Sequence, residues 1–140
     1  MITFDMLKDM AQAAHEADMA ANAAEDTCYR LKVALIRAKD SLERATSQAT
    51  LQAMQAGAID GKNAETRKVQ LDAFLEQDKT LAEWRHTIRM HEDSLVAAEA
   101  RAGATRAEAR FRHSLFDAAL ASMKASQGQG DKVIELDEVA

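Results

Sequence analysis

The sequence predicts an all-α fold: a long antiparallel helical hairpin, coiled-coil-like, with an alanine-rich seam. Three observations carry this. The chain has no proline, its aromatic content is 4% against 29% charged residues, and this usage suits long helices better than a bulky core. Apolar residues recur in three-four steps over most of its length. One break, AGAIDGKNAETR at 56–67, separates two such runs and gathers Gly57, Asp60, Gly61 and Asn63.

The first helix is placed at about 4–55. Thr3 suits the N-cap, Ile2 and Leu7 are spaced for a hydrophobic staple, and Asp5 falls in the first turn, where the helix dipole favours an anion. Leu7, Met10, Ala14, Ala17, Ala21, Ala24, Cys28, Leu31, Leu35, Ala38, Leu42, Ala45 and Ala49 then follow without a charge among them. That is a sustained heptad seam. Its N-terminal half is small, so a partner helix can approach closely.

The turn is placed at 57–63. Gly57 suits a left-handed position after the helix, Asp60-Gly61 a tight turn, and Asn63 the N-cap of the next helix, with Glu65 in its first turn. The second helix is placed at about 64–126. It opens on Val69, Leu71, Phe74 and Leu75, then continues through Leu81, Trp84, Ile88, His91, Leu95, Ala98, Ala102, Thr105, Ala109, Phe116, Ala119 and Met123. At Gly103 two outcomes are open. TRAE at 105–108 matches a capping box and would start a third helix after a kink. The unbroken heptad phase favours one helix, because a single helical glycine costs only about 1 kcal/mol relative to alanine. Residues 1–126 thus form one hairpin domain. Residues 127–140, an acidic and apolar stretch behind two glycines, read as a flexible tail or as a short peptide that docks on a partner.

Charge tests the hairpin. Residues 1–27 carry Asp5, Asp9, Glu16, Asp18, Glu25 and Asp26 against Lys8, whereas 28–55 carry Arg30, Lys32, Arg37, Lys39 and Arg44 against Asp40 and Glu43. With the turn centred near 60, residue i faces about residue 120 − i. The basic half then lies beside Glu76, Asp78 and Glu83, and the acidic start beside Arg101, Arg106, Arg110 and Arg112.

Two clusters are candidates for partner or nucleic-acid contact. One is Arg101, Arg106, Arg110, Phe111 and Arg112, where an aromatic lies among arginines. The other is Arg30, Arg37 and Arg44, seven apart on one stripe. Fold-back supplies the first cluster with acidic neighbours, and the net charge of −5 disfavours wholesale wrapping of nucleic acid, which requires a basic face. Catalytic and cofactor motifs are missing: neither GxxxxGK[ST] nor GxSxG occurs, and an enzyme needs convergent polar groups in a pocket. Glu83 and His86 have the Glu-x-x-His spacing of di-iron bundles, but no second copy exists and Trp84 takes the seam position instead. His91 on the seam reads as a register-setting residue and Cys28 as a small buried hydrophobe. No metal, cofactor or catalytic residue is expected. With one cysteine, no basic-apolar leader and no long uncharged span, a cytoplasmic protein without a membrane segment is expected.

The segment GKNAETRKVQLDAFLEQDKTLAEWRHTIRMHEDSLVAAEAR resembles a type of small phage-encoded helical protein that accompanies DNA replication and recombination. There, a Gly-Lys-Asn-Ala-Glu-x-Arg turn, here Gly61 to Arg67, opens a leucine-patterned helix. The overall plan is also similar to the phage recombination mediator of the UvsY type. That resemblance implies an oligomeric accessory factor in the host bacterial cytoplasm that works with a recombinase and single-stranded DNA. The leading expectation is therefore a non-enzymatic, self-associating accessory or mediator in DNA recombination or replication. Two alternatives stay open: an anti-defence protein that binds and blocks a host defence complex, and a purely structural or assembly coiled coil.

Overall fold

A computed structural model describes residues 1–139, with side chains through Gly128. The fold is all-α: α1 (Phe4–Gln55), α2 (Ala64–Glu76) and α3 (Lys79–Val139), with α1 and α3 packed together as a helical hairpin. No strand occurs among the described residues. The chain divides into two compact units, Met1–Asp26 with Glu99–Ala140, and Thr27–Ala98.

The terminal unit pairs the start of α1 with the later part of α3. Thr3 caps α1: its Oγ1 accepts the Met6 N–H at 3.2 Å and its carbonyl accepts the Leu7 N–H at 3.1 Å. Among the described residues the buried ones are Leu7, Ala14, Ala21, Ala24, Ala109 and Ala119, all seam positions. Alanine knobs let the helices approach closely, at the cost of little apolar area per residue. The helix passes through Gly103 unbroken. Thr105 does not cap a new helix; its hydroxyl donates back to the carbonyls of Arg101 and Ala102, at 3.0 and 3.1 Å.

The central unit contains the rest of α1, the turn, α2 and the start of α3. Its buried residues are Cys28, Ala38, Ala49, Ala53, Leu81 and Ile88. Trp84, His91 and Leu95 are half-buried beside them. α1 ends in a Schellman motif. Gly57 takes φ +71, its N–H bonds the Met54 carbonyl at 3.2 Å, and the Ala58 N–H bonds the Ala53 carbonyl at 3.0 Å.

Three expectations are corrected. The heptad phase predicts one helix over 64–126, but the chain breaks at Gln77 and Asp78. The physical reason is Asp78. It falls where the seam steps from Phe74 to Leu81, and there it caps α3, accepting the Leu81 N–H at Oδ1 (3.1 Å) and the Ala82 N–H at its carbonyl (3.1 Å). Secondly, α3 continues to Val139, past the helix end expected near residue 126. No proline interrupts it, and Gly128 keeps a helical rather than a left-handed φ. The docking-peptide reading of this stretch lies outside the described side chains. Thirdly, the register differs. In the terminal unit His113 meets Asp18 and Arg106 meets Glu25, so paired residue numbers sum to 131 rather than about 120. The link between the paired helices includes α2 as well as the turn, which moves its midpoint later in the chain.

Candidate interaction surfaces

The turn residues do structural work. Asn63 caps α2, its Oδ1 accepting the Thr66 N–H at 2.8 Å. Gln70, which sequence reasoning missed, clamps the loop: its Oε1 accepts the N–H groups of Asp60 (3.1 Å) and Gly61 (2.9 Å), and its Nε2 donates to Asp60 Oδ1 at 2.7 Å. The signal was weak, a glutamine one turn after Thr66 in α2. A Cβ at Gly61 would lie 2.7 Å from Thr66 Cγ2, so a larger residue there requires the Thr66 side chain to shift. The Gly61 to Arg67 motif is thereby explained as cap and clamp chemistry.

The arginine cluster of α3 is largely engaged within its own unit. Arg106 forms an ion pair with Glu25. Arg112 donates to Glu108 Oε1 one turn earlier, at 2.8 Å. It also borders a small hollow of about 280 Å³ with Asp9, Met10 and Leu115, so it does lie beside the acidic start of α1. Arg110 does not face Asp9. With Asn22, Asp117 and the His113–Asp18 pair it lines an open groove of about 520 Å³. The groove walls carry both signs, Arg106, Arg110 and His113 against Asp18 and Asp117, so the groove is no anion cradle. Arg101 is exposed and has no ion pair among the described residues. Phe111 stands 55% exposed.

The second cluster is arranged differently. Arg30, Arg37 and Arg44 lie exposed along α1 in the central unit. Beside them, also seven apart, Tyr29 and Ile36 are 67% and 60% exposed. From 27 to 39 the chain carries Arg30, Lys32, Arg37 and Lys39 and no acid. Arg37 and Arg44 make no ion pair among the described residues. Sequence reasoning found the arginines but missed Tyr29 and Ile36, which sit off the seam and became notable only once their exposure was known.

Glu83 and His86 are both exposed, and no group of three or more potential metal ligands occurs among the described residues. None of the described helices is long and apolar enough to cross a membrane. Comparison with protein-family models, with curated proteins and with solved structures returns no match, so the surfaces themselves carry the functional argument.

Proposed function

We propose that this chain is a non-enzymatic interaction protein of phage or mobile-element type, an accessory in DNA recombination or replication that acts by binding a protein partner. The contact surface is the outer face of α1 over 29–44. One observation carries this reading: exposed Tyr29 and Ile36 coincide there with Arg30, Arg37 and Arg44, in a stretch free of acids up to residue 39. Such a face fits a protein surface that is apolar at its centre and acidic at its rim, because aromatic and arginine side chains dominate interface energetics. A single-stranded DNA site needs several stacking platforms along a basic groove, and this face offers Tyr29 alone. The α3 cluster is the weaker candidate, since Glu25, Glu108 and Asp18 already neutralise much of its charge.

The test is affinity capture from a bacterial lysate with the parent chain, an Arg37→Glu/Arg44→Glu variant and an Arg110→Glu variant, alongside titration of labelled oligothymidine across salt. The expected result is a protein captured by the parent and by Arg110→Glu but lost from the double variant, with no salt-sensitive oligothymidine binding. Captured recombination proteins support the accessory role; a captured nuclease or defence effector turns the same face to the anti-defence alternative. Oligothymidine binding that falls steeply with salt and vanishes in the double variant makes the face a DNA site instead.

A further inference from the structure

Between the end of α1 and the start of α3, the central unit contains a segment with its own hydrogen bonds and no core. No residue from Met54 to Thr80 is buried, whereas Ala49 and Ala53 before it and Leu81 after it are. The polar contacts of 59–77 close on themselves. Asn63 Oδ1 accepts the Thr66 N–H, and the Asn63 carbonyl accepts the Arg67 N–H. Gln70 on α2 holds the loop at Asp60 and Gly61 through three hydrogen bonds of 3.1, 2.9 and 2.7 Å. At the far end the Asp78 N–H bonds the Leu75 carbonyl at 3.2 Å. Among the described residues no other hydrogen bond and no ion pair joins 59–77 to the rest of its unit. Its attachment is left to the half-buried apolar residues Ile59, Leu71, Phe74 and Leu75.

The long helices close without it. α1 ends in its own Schellman motif over 53–58, and Asp78 caps α3. Ala45, Gln48, Ala49 and Gln52 line one hollow with Asp78 and Thr80, so the end of α1 meets the start of α3 directly.

We infer that 59–77 is a flap that opens as one cooperative unit while the hairpin of the central unit stays folded. This goes beyond the partner surface on α1 and does not depend on it. A local opening costs only the contacts it breaks, and here it breaks no polar link to the long helices and uncovers no buried residue of the flap itself. Released, α2 is a helix of 13 residues, a length at which an isolated helix is marginal in water. Opening therefore melts it. Gln70 ties loop to helix, so the two open together and not in turn. The open state bares Leu71, Phe74 and Leu75, an apolar stripe at i, i+3 and i+4 that the closed state half covers.

Amide hydrogen exchange of the full chain, followed by NMR at increasing sub-denaturing urea, tests the inference. The amides of Asp60, Gly61 and residues 66–76 are expected to share one opening free energy with little urea dependence. They should be protected at least about ten-fold less than the α1 amides over 31–49, which exchange through unfolding of the hairpin. Gln70→Ala should lower the protection of the whole flap set together by about ten-fold or more. Ile88→Val, in the core outside the flap, should lower the protection of 31–49 by about five-fold and leave the flap set as in the parent, because flap opening does not disturb Ile88. Four results each overturn the inference: flap amides protected as strongly as 31–49, loop and α2 amides with different opening free energies, flap amides unmoved by Gln70→Ala, or both sets shifted equally by Ile88→Val.

Discussion

His113 on α3 sets its Nε2 2.7 Å from Asp18 Oδ2 on α1, across a separation of 95 residues. Arg106 and Glu25, one heptad away on each helix, make the next pair. Both pairs occupy the same edge of the seam, and together they define the register of the terminal unit. Their side chains remain 45–48% exposed, so they select the alignment more than they stabilise it.

A charge-swap cycle should therefore detect this register. Glu25→Arg or Arg106→Glu alone is expected to cost no more than about 1 kcal/mol, and the double swap to recover most of it. Asp9→Lys with Arg110→Glu, the pair a turn centred on residue 60 would align, should show no coupling. Urea denaturation of the two cycles decides; coupling in the second and none in the first would contradict the register.

Asp78 should matter more than its place on a nominal seam suggests. Its side chain caps α3 at the Leu81 N–H, and removing a cap typically costs about 1 kcal/mol. Asp78→Ala is expected to lower stability by about that amount, and Asp78→Asn or Asp78→Ser to restore most of it. A leucine at 78 would complete the heptad phase. If Asp78→Leu stabilised the chain, the break between α2 and α3 would be incidental.

Alanine substitutions at three glycines should differ in sign. Gly57 takes φ +71, so Gly57→Ala is expected to destabilise by about 1 kcal/mol. Gly61→Ala should destabilise as well, because its Cβ would meet Thr66 Cγ2 at 2.7 Å, and Thr66→Ser should relieve part of the conflict. Gly103 lies inside α3 with nothing within 4 Å of its virtual Cβ, so Gly103→Ala should stabilise by up to about 1 kcal/mol. Thermal melts of the three variants are sufficient to check the pattern.

Elements with a strong local signal were legible from the sequence. The seam of α1 is buried or half-buried at every position from Leu7 to Ala49, and on the return run only Val69 stands exposed. Gly57, Asn63 and Thr3 have the cap roles their residue types imply. What was not legible depended on competition or on tertiary placement. The run from Glu76 to Thr80 contains no apolar residue, which marked a gap, but whether Asp78 would sit in a helix or cap one depends on two nearly balanced energies. The register could not be read because it depends on where that break falls. The same uncertainty misplaced Arg110 beside Asp9, while the general facing of arginines and acids was right for Arg106 and Arg112. Exposure of Tyr29 and Ile36 is likewise a property of the packed helices and not of heptad spacing.

The sharpest stability prediction concerns the junction itself. Leu81 and Ala53 are both 0% exposed, and Leu81 is the largest fully buried side chain among the described residues. Leu81 follows the Asp78 cap directly, and Ala53 lies in the last turn of α1, where its carbonyl also receives the Schellman bond from Ala58. The end of α1 and the start of α3 come together here, where Ala49, Gln52, Asp78 and Thr80 line one hollow. Truncating a fully buried leucine typically costs about 2–5 kcal/mol, because lost transfer energy and a residual cavity add. In a core built mainly of alanine, few neighbours can collapse into the space, which favours the upper part of that range. Leu81→Ala is therefore expected to unfold the chain at a much lower urea concentration than the parent, whereas Val69→Ala, at an exposed position on α2, should shift stability by no more than about 0.5 kcal/mol. Ala53→Val should also destabilise, by about 1–3 kcal/mol, since no space is left for added methyl groups. Equal, small effects of Leu81→Ala and Val69→Ala would mean that the packing around Leu81 does not hold the start of α3 against α1.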